Sequence, residues 1–301
     1  MTFFATSMTI SKEMLVAAAK AVKLLGDSRA AEIGEFYRRL LRPDGGFADR
    51  AGKSDLYYTV FGLQACAALG ARVPVGAVRS YLQGFGEGQG LDMVHLSCLA
   101  RCWTVLEGEA CPPPVRSAVL HRIEACRLAD GGYAQQTHRP GGSAYGCFLA
   151  LGSCQDLGAD LPDADGAAQC LAGLAVGDGS YANDASMPIG SVPATAAAVM
   201  VLAHLHRPAD AGAAAWLLAQ HAPAGGFRAV PIAPEPDMLS TAVALQALRK
   251  LGADISAVRP GCPAFARSLF AEGRFAGHGG DTALDGEYTF YGLLALGCLE
   301  E

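Results

Sequence analysis

The stretch DGGFADRAGKSDLYYTVFGLQACAALG, Asp44–Gly70, holds the unit from which the rest of the chain is built. It opens on a glycine turn closed by an aromatic residue, crosses a short polar loop and ends in a segment that is apolar on nearly every side. The turn returns as GQGL at Gly88–Leu91, DGGY at Asp130–Tyr133, DGSY at Asp178–Tyr181, AGGF at Ala224–Phe227 and EGRF at Glu272–Phe275. Their last residues are 44, 42, 48, 46 and 48 positions apart. A fixed period of this length is the signature of stacked supersecondary units.

Each turn is followed by an apolar segment such as AYGCFLALG, TAAAVMVLAHL, STAVALQAL or YTFYGLLALG. Apolarity all round a helix implies contact with protein on most sides, so these are inner helices. Between them lie segments such as AAEIGEFYRRLLR, where Ile33, Phe36, Tyr37, Leu40 and Leu41 follow helical spacing and the charges take the other face. These are outer helices. Glycine suits a backbone that leaves a helix tightly, and the aromatic can plug the space between neighbouring pairs. An open helical solenoid also has a period near this length. The glycine-aromatic turn and the apolar inner set favour closure instead. The fold expected is all-α, an α/α toroid of six hairpins with an added N-terminal helix: one domain over 1–301, a helical extension over 1–27 and six repeats from about 28 onward.

The 301 residues are 51% hydrophobic and 17% charged, with a net charge of -6. A large core is therefore affordable, and a basic footprint for nucleic acid or anionic lipid is lacking. The longest apolar helix candidate, Val192–Leu205, falls short of the roughly 20 residues needed to span a bilayer. The N-terminus places Lys12 and Lys20 among apolar residues without the order of a secretory signal, so a cytoplasmic location is expected. Most of the ten cysteines sit in Ala/Leu-rich segments, where a free thiol behaves as a small hydrophobe.

The segment Gly45–Gly70 resembles the repeat of protein prenyltransferase β subunits, especially the Rab geranylgeranyl type, and more distantly that of terpene cyclases. GRFAGHGGDTALDGEYTFYGLLAL, Gly273–Leu296, resembles the repeat that carries two of that family's zinc ligands. The resemblance implies a toroid whose cavity takes an isoprenoid diphosphate, a zinc ion held by Asp, Cys and His that activates a thiol, and an α-subunit-like helical partner protein. Where the family has Asp-Gly-Cys-Tyr, this chain reads Asp285-Gly286-Glu287-Tyr288; where it has Asp-x-Phe-His-Thr, the chain reads Asp55-Leu56-Tyr57-Tyr58-Thr59. Cysteine has become Glu287 and histidine has become Tyr58. Asp285 and Glu287 could hold a harder divalent metal, or serve only as helix-capping carboxylates.

For the diphosphate, the loop before Asp285 offers His278 and Asp281 in place of basic residues, and Arg50, Lys53, Arg139 beside His138, and Arg228 lie on neighbouring loops. Tyr57, Tyr58, Tyr145, Tyr288, Phe290 and Tyr291 at inner-helix starts suit an isoprenoid-lined wall or an ordinary core. His95, Cys98 and Cys102 share a helix face with Asp92, a pattern open to zinc or to buried thiols. Asp163-Ala164-Asp165 and the stretch from Asp281 to Asp285 partly echo the acid motif of the cyclases.

The function expected is handling of an isoprenoid in a central apolar cavity, with transfer to a thiol as its prenyltransferase form. Asp285, Glu287 and Tyr58 would carry the chemistry, and Tyr57, Tyr145, His278, Tyr288, Tyr291, Arg50 and Lys53 would bind the substrate. Two alternatives stand beside it: a cyclase that protonates an alkene from a buried acid, and a non-catalytic toroid that holds a hydrophobic ligand or a partner protein. A closed ring would also bring Asp285 close to Tyr58.

Overall fold

The computed structural model describes residues 8–106, 108–135, 139–283 and 285–300. Helices α1 (Ile10–Lys20), α2 (Val22–Leu25) and α3 (Asp27–Leu40) lead into α4 (Leu56–Ala68). From there short and long helices alternate: α5 (Val75–Gln83), α6 (Met93–Val105), α7 (Pro113–Glu124), α8 (Ala144–Asp156), α9 (Ala164–Gly173), α10 (Val192–His204), α11 (Ala213–Ala219), α12 (Met238–Lys250), α13 (Cys262–Ser268) and α14 (Gly286–Gly297). Two small hairpins, β1 (Phe47–Ala48) with β2 (Ser54–Asp55) and β3 (Phe270–Ala271) with β4 (Arg274–Phe275), frame the first and last turns.

The even-numbered helices from α4 to α14 form the inner ring. Each packs on the next, and α14 packs on α4, so the ring closes as the repeat implies. Each inner helix begins on a polar cap, Asp55, Asp92, Ser143, Ser191, Asp237 and Asp285, whose side chain accepts from a backbone N–H three residues on. The glycine-aromatic turn is bolted to its inner helix by a threonine. The N–H groups of Phe47, Tyr181, Phe227 and Phe275 donate to Thr59, Thr195, Thr241 and Thr289 at 2.9, 3.0, 2.9 and 3.2 Å. Phe47 then lies flat against Gly62, where a Cβ would overlap its ring, and Gly45 (φ 96°) passes so close to Ala77 that a side chain has no room.

Helix α1 is more than an extension. It crosses the end of the ring opposite the caps, touching α14 and α4 on one side and α8 on the other. Gly297 lets it approach α14, because a Cβ there would collide with the Ala17 carbonyl. The Ile10 amide donates to Gln155 Oε1 at 2.9 Å, and Ser11 donates to Asp156. Glu13 receives Lys250 Nζ at 2.6 Å and lies 3.3 Å from His204 Nε2. No helix among the described residues is long and apolar enough to cross a membrane.

Candidate functional site in the ring lumen

The lumen is lined in register. Residues two, five and six places after the caps of the first three inner helices face it, and in α6 the ninth as well: Tyr57, Val60 and Phe61 from α4; Val94, Ser97, Cys98 and Arg101 from α6; Tyr145, Phe148 and Leu149 from α8. The same positions on α10 are Pro193, Ala196, Ala197 and Met200. Equal spacing from the cap means the six helices run the same way, with their capped ends forming one rim. Aromatics crowd the α4–α8 side, and the two alanines of α10 leave the space on the other. The cavity, with its open rim, measures about 950 Å³. From the second to the ninth position an α-helix rises about 10 Å, so the well is shallow for its volume. Met14 of α1 reaches it from below.

Above the lumen, the seam between the first and last repeats gathers most of the candidate residues. Arg50 Nε donates to Asp285 Oδ2 at 2.7 Å, and its Nη2 stands 3.9 Å from Asp281. The Arg50 guanidinium lies 5.8 Å from the ring centre of Tyr288. Asp285 is buried, and its other oxygen caps α14 at the Tyr288 N–H, 3.0 Å away. Asp285 also approaches Tyr58: burial and the Asp285 carboxylate push that phenol up to about 12, against the pull of Arg50. Tyr37 of α3 ties the seam from outside, donating to the Gly286 carbonyl at 2.6 Å.

Glu287 stands two places after its cap, in the same layer as Tyr57 and Tyr145. The Tyr57 hydroxyl donates to Glu287 Oε1 at 2.7 Å. Burial raises the Glu287 carboxyl above its ordinary value, and the bond from Tyr57 offsets only part of this. Among the cap-plus-two residues it is the one carboxylic acid. Tyr57 packs edge-on against Phe61, with centroids 5.0 Å apart, and Phe61 in turn meets Tyr291, which is partly buried and lines the lumen. Tyr145, 37% exposed, marks where the lumen opens.

Other candidates lie apart. His278 pairs through Nδ1 with Glu235 at 3.0 Å on an exposed loop, and Lys53 sits exposed on the tip between β1 and β2. Arg139 faces Asp184 at 3.7 Å, and His138 lies outside the described residues. Asp163 caps the outer helix α9 and Asp165 is exposed beside Arg207, both away from the lumen. On α6, Asp92 accepts the His95 backbone and ring nitrogens at 2.9 and 2.7 Å, while Cys98 and Cys102 are buried, with Cys98 pushed up to about 12 by burial.

The donors at the seam do not suit zinc. Asp285 is occupied by a guanidinium, Glu287 by a phenol, and the third position is the neutral Tyr58 hydroxyl rather than an imidazole. Among the described residues, no group of three or more His, Cys, Asp or Glu side chains is placed to hold a metal. Sequence reasoning missed Arg101 and Gln246, which also line the cavity. The signal was present: both break apolar inner helices at the same distance from the cap.

A closed ring of helix pairs around one apolar lumen defines an α/α toroid protein. The chain belongs to the prenyltransferase alpha-alpha toroid domain family, whose model matches residues 21–95 and 193–300, more than half of its length. Among solved structures it is similar to Candida albicans protein geranylgeranyltransferase-I complexed with GGPP, at 13% identity over 98% of this chain and 85% of that one, TM-score 0.48. It is also similar to a type II terpene cyclase from Scytonema in complex with geranylgeranyl dihydroxybenzoate, at 15% identity over 95% of this chain and 86% of that one, TM-score 0.42. A search of curated proteins finds no match.

Proposed function

We propose that this protein binds an isoprenoid in the ring lumen. The observation that carries the reading is the lining: an apolar and aromatic wall around a well of about 950 Å³, open at the capped rim, with polar groups at a few fixed places. Helix α1 makes the well short, so a long isoprenoid chain has to fold back on itself. Binding of farnesyl and geranylgeranyl ligands to the purified protein tests this, with Ala197→Phe as the blocking variant. Loss of binding in that variant at unchanged stability supports the lumen as the site; failure of the wild-type protein to bind any isoprenoid overturns the reading.

Glu287 favours acid chemistry over zinc-assisted thiol transfer. Burial raises the Glu287 carboxyl and Tyr57 fixes its Oε1, and in this reading it gives its proton to an alkene carbon of a folded chain. The resulting carbocation would be quenched by ring closure and loss of a proton from a neighbouring carbon, and water would return a proton to the glutamate. The net change is isomerisation, without oxidant or leaving group. Glu287→Gln is expected to retain binding and abolish turnover of a polyene; retained turnover would remove Glu287 as the acid. The thiol-transfer form would bring with it the α-subunit-like partner, which acid chemistry inside a single ring does not require. The buried thiols of the inner helices suit the reducing cytosol expected for the chain.

A further inference from the structure

Nine places after the caps, the inner helices carry Gln64, Arg101, Gly152, Met200, Gln246 and Leu294. Three of these are polar, in the layer nearest α1. Gln64 is fully buried with neither amide atom hydrogen-bonded, and Gln246 is 8% exposed with its Nε2 unpartnered. Arg101 gives its Nε to Asp156 Oδ2 at 3.2 Å, while its Nη2 has no partner. Buried polar groups are nearly always satisfied, and each one left alone disfavours the empty state. Gln64 does not line the lumen, but Gln246 and Arg101 do, and their two unpartnered nitrogens point to something that binds there.

The chemistry of that occupant can be read from the atoms. Both are nitrogen donors, so the floor is short of acceptors. Asp156 already neutralises Arg101, and burial is outweighed by that carboxylate in keeping the guanidinium charged. The pair carries no net charge, which suits an uncharged oxygen rather than a phosphate. Gln246 also borders the outer groove beside α1, but Arg101 and Met200 at the same level face the lumen.

Resting on the isoprenoid reading, we infer that the floor of the lumen is a subsite for an uncharged acceptor oxygen, a hydroxyl or carbonyl on the inserted end of the ligand, received by Gln246 and Arg101. The ligand is thus an oxygenated isoprenoid that enters with its polar end down. Its hydrocarbon then fills the aromatic layers above.

The test compares farnesol, farnesene and farnesyl diphosphate by calorimetry or competitive displacement, on the wild-type chain and on Gln246→Leu. Farnesol is expected to bind at least tenfold more tightly than farnesene and more tightly than the diphosphate. In Gln246→Leu the difference between farnesol and farnesene should fall to less than threefold, while the ligand-free protein melts no lower because an unpaired amide has gone. Equal binding of farnesol and farnesene to the wild-type protein overturns the floor subsite and leaves the isoprenoid reading standing. A preference for farnesol that survives in Gln246→Leu also overturns it, since the oxygen is then read elsewhere. Should that variant not fold, Gln246→Met supplies the same comparison with a side chain of similar length. Absence of binding by all three compounds is the failure of the isoprenoid reading itself.

Discussion

The Tyr57 hydroxyl and the Glu287 carboxylate meet at 2.7 Å although 230 residues separate them in sequence. They meet because the ring closes there, and one side chain comes from the first repeat, the other from the last. A donor to a carboxylate stabilises its ionised form, so Tyr57 restrains the upward shift that burial imposes on Glu287.

Tyr57→Phe is accordingly expected to move the Glu287 titration further upward, measured by carbon NMR of labelled glutamate carboxyls or by the pH profile of any turnover. An unchanged or lower midpoint would show that the bond does not govern this group. The sign for stability follows. A carboxyl raised in the folded state contributes stability that is present at low pH and lost as pH rises through its folded value. Glu287→Gln should therefore be more stable than the wild type at pH 7, with the gap closing toward pH 4.

The Arg50–Asp285 pair is half exposed on the arginine side and buried on the other. Removing the arginine leaves a buried carboxylate short of one partner, and Arg50→Ala is expected to cost about 1–2 kcal/mol, limited by solvent access to the pair. Asp285→Ala also loses a helix cap, worth about 1 kcal/mol more. Denaturant unfolding of both single variants and the double variant should show a loss smaller than the sum; strict additivity would dissolve the pair.

Helix α1 should loosen in acid. Burial pushes Glu13 up, but His204 and Lys250 outweigh it and hold the carboxyl below its ordinary 4.5. A depressed carboxyl contributes stability that is complete above the unfolded value and lost as pH falls through the folded one. Amide protection in α1, corrected for the intrinsic exchange rate, should fall as pH drops below the ordinary carboxylate range, and Glu13→Gln should abolish that step while weakening α1 at neutral pH. Exchange that rises uniformly across all helices would argue against a local anchor.

Gly62→Ala drives a methyl into the Phe47 ring. Overpacking of this kind costs about 1–3 kcal/mol, read as a lower melting temperature with the repeat architecture retained. Gly297→Val is expected to separate α1 from α14, seen as faster exchange in α1 and stronger binding of an environment-sensitive apolar dye. Unchanged exchange in α1 would mean that α14 does not seat it.

The ring was legible because its cause is periodic: six glycine turns, five closed by an aromatic residue and one by Leu91, and a capped apolar helix after each. The approach of Asp285 to Tyr58 followed from closure alone. The pairing of Arg50 with Asp285 was not legible, since a loop arginine gives no sign of which way it folds until both ends of the ring are in place. His278 looked equally well placed and instead faces Glu235. The rotation of the inner helices was hidden by their uniform apolarity, which is why Glu287 read as a metal ligand or cap while its position two places from Asp285 turns it toward Tyr57. Helix α1 read as an appendage, because its few buried residues, Ile10, Ser11, Met14 and Ala18, show no repeat from which a docking place could be inferred.

With α1 lying across its base, the lumen has one mouth rather than two. A ligand bound as proposed would leave by the way it came, since two molecules could not pass. Exchange would then proceed through an empty ring, and the dwell time of one occupant would set the pace for the next.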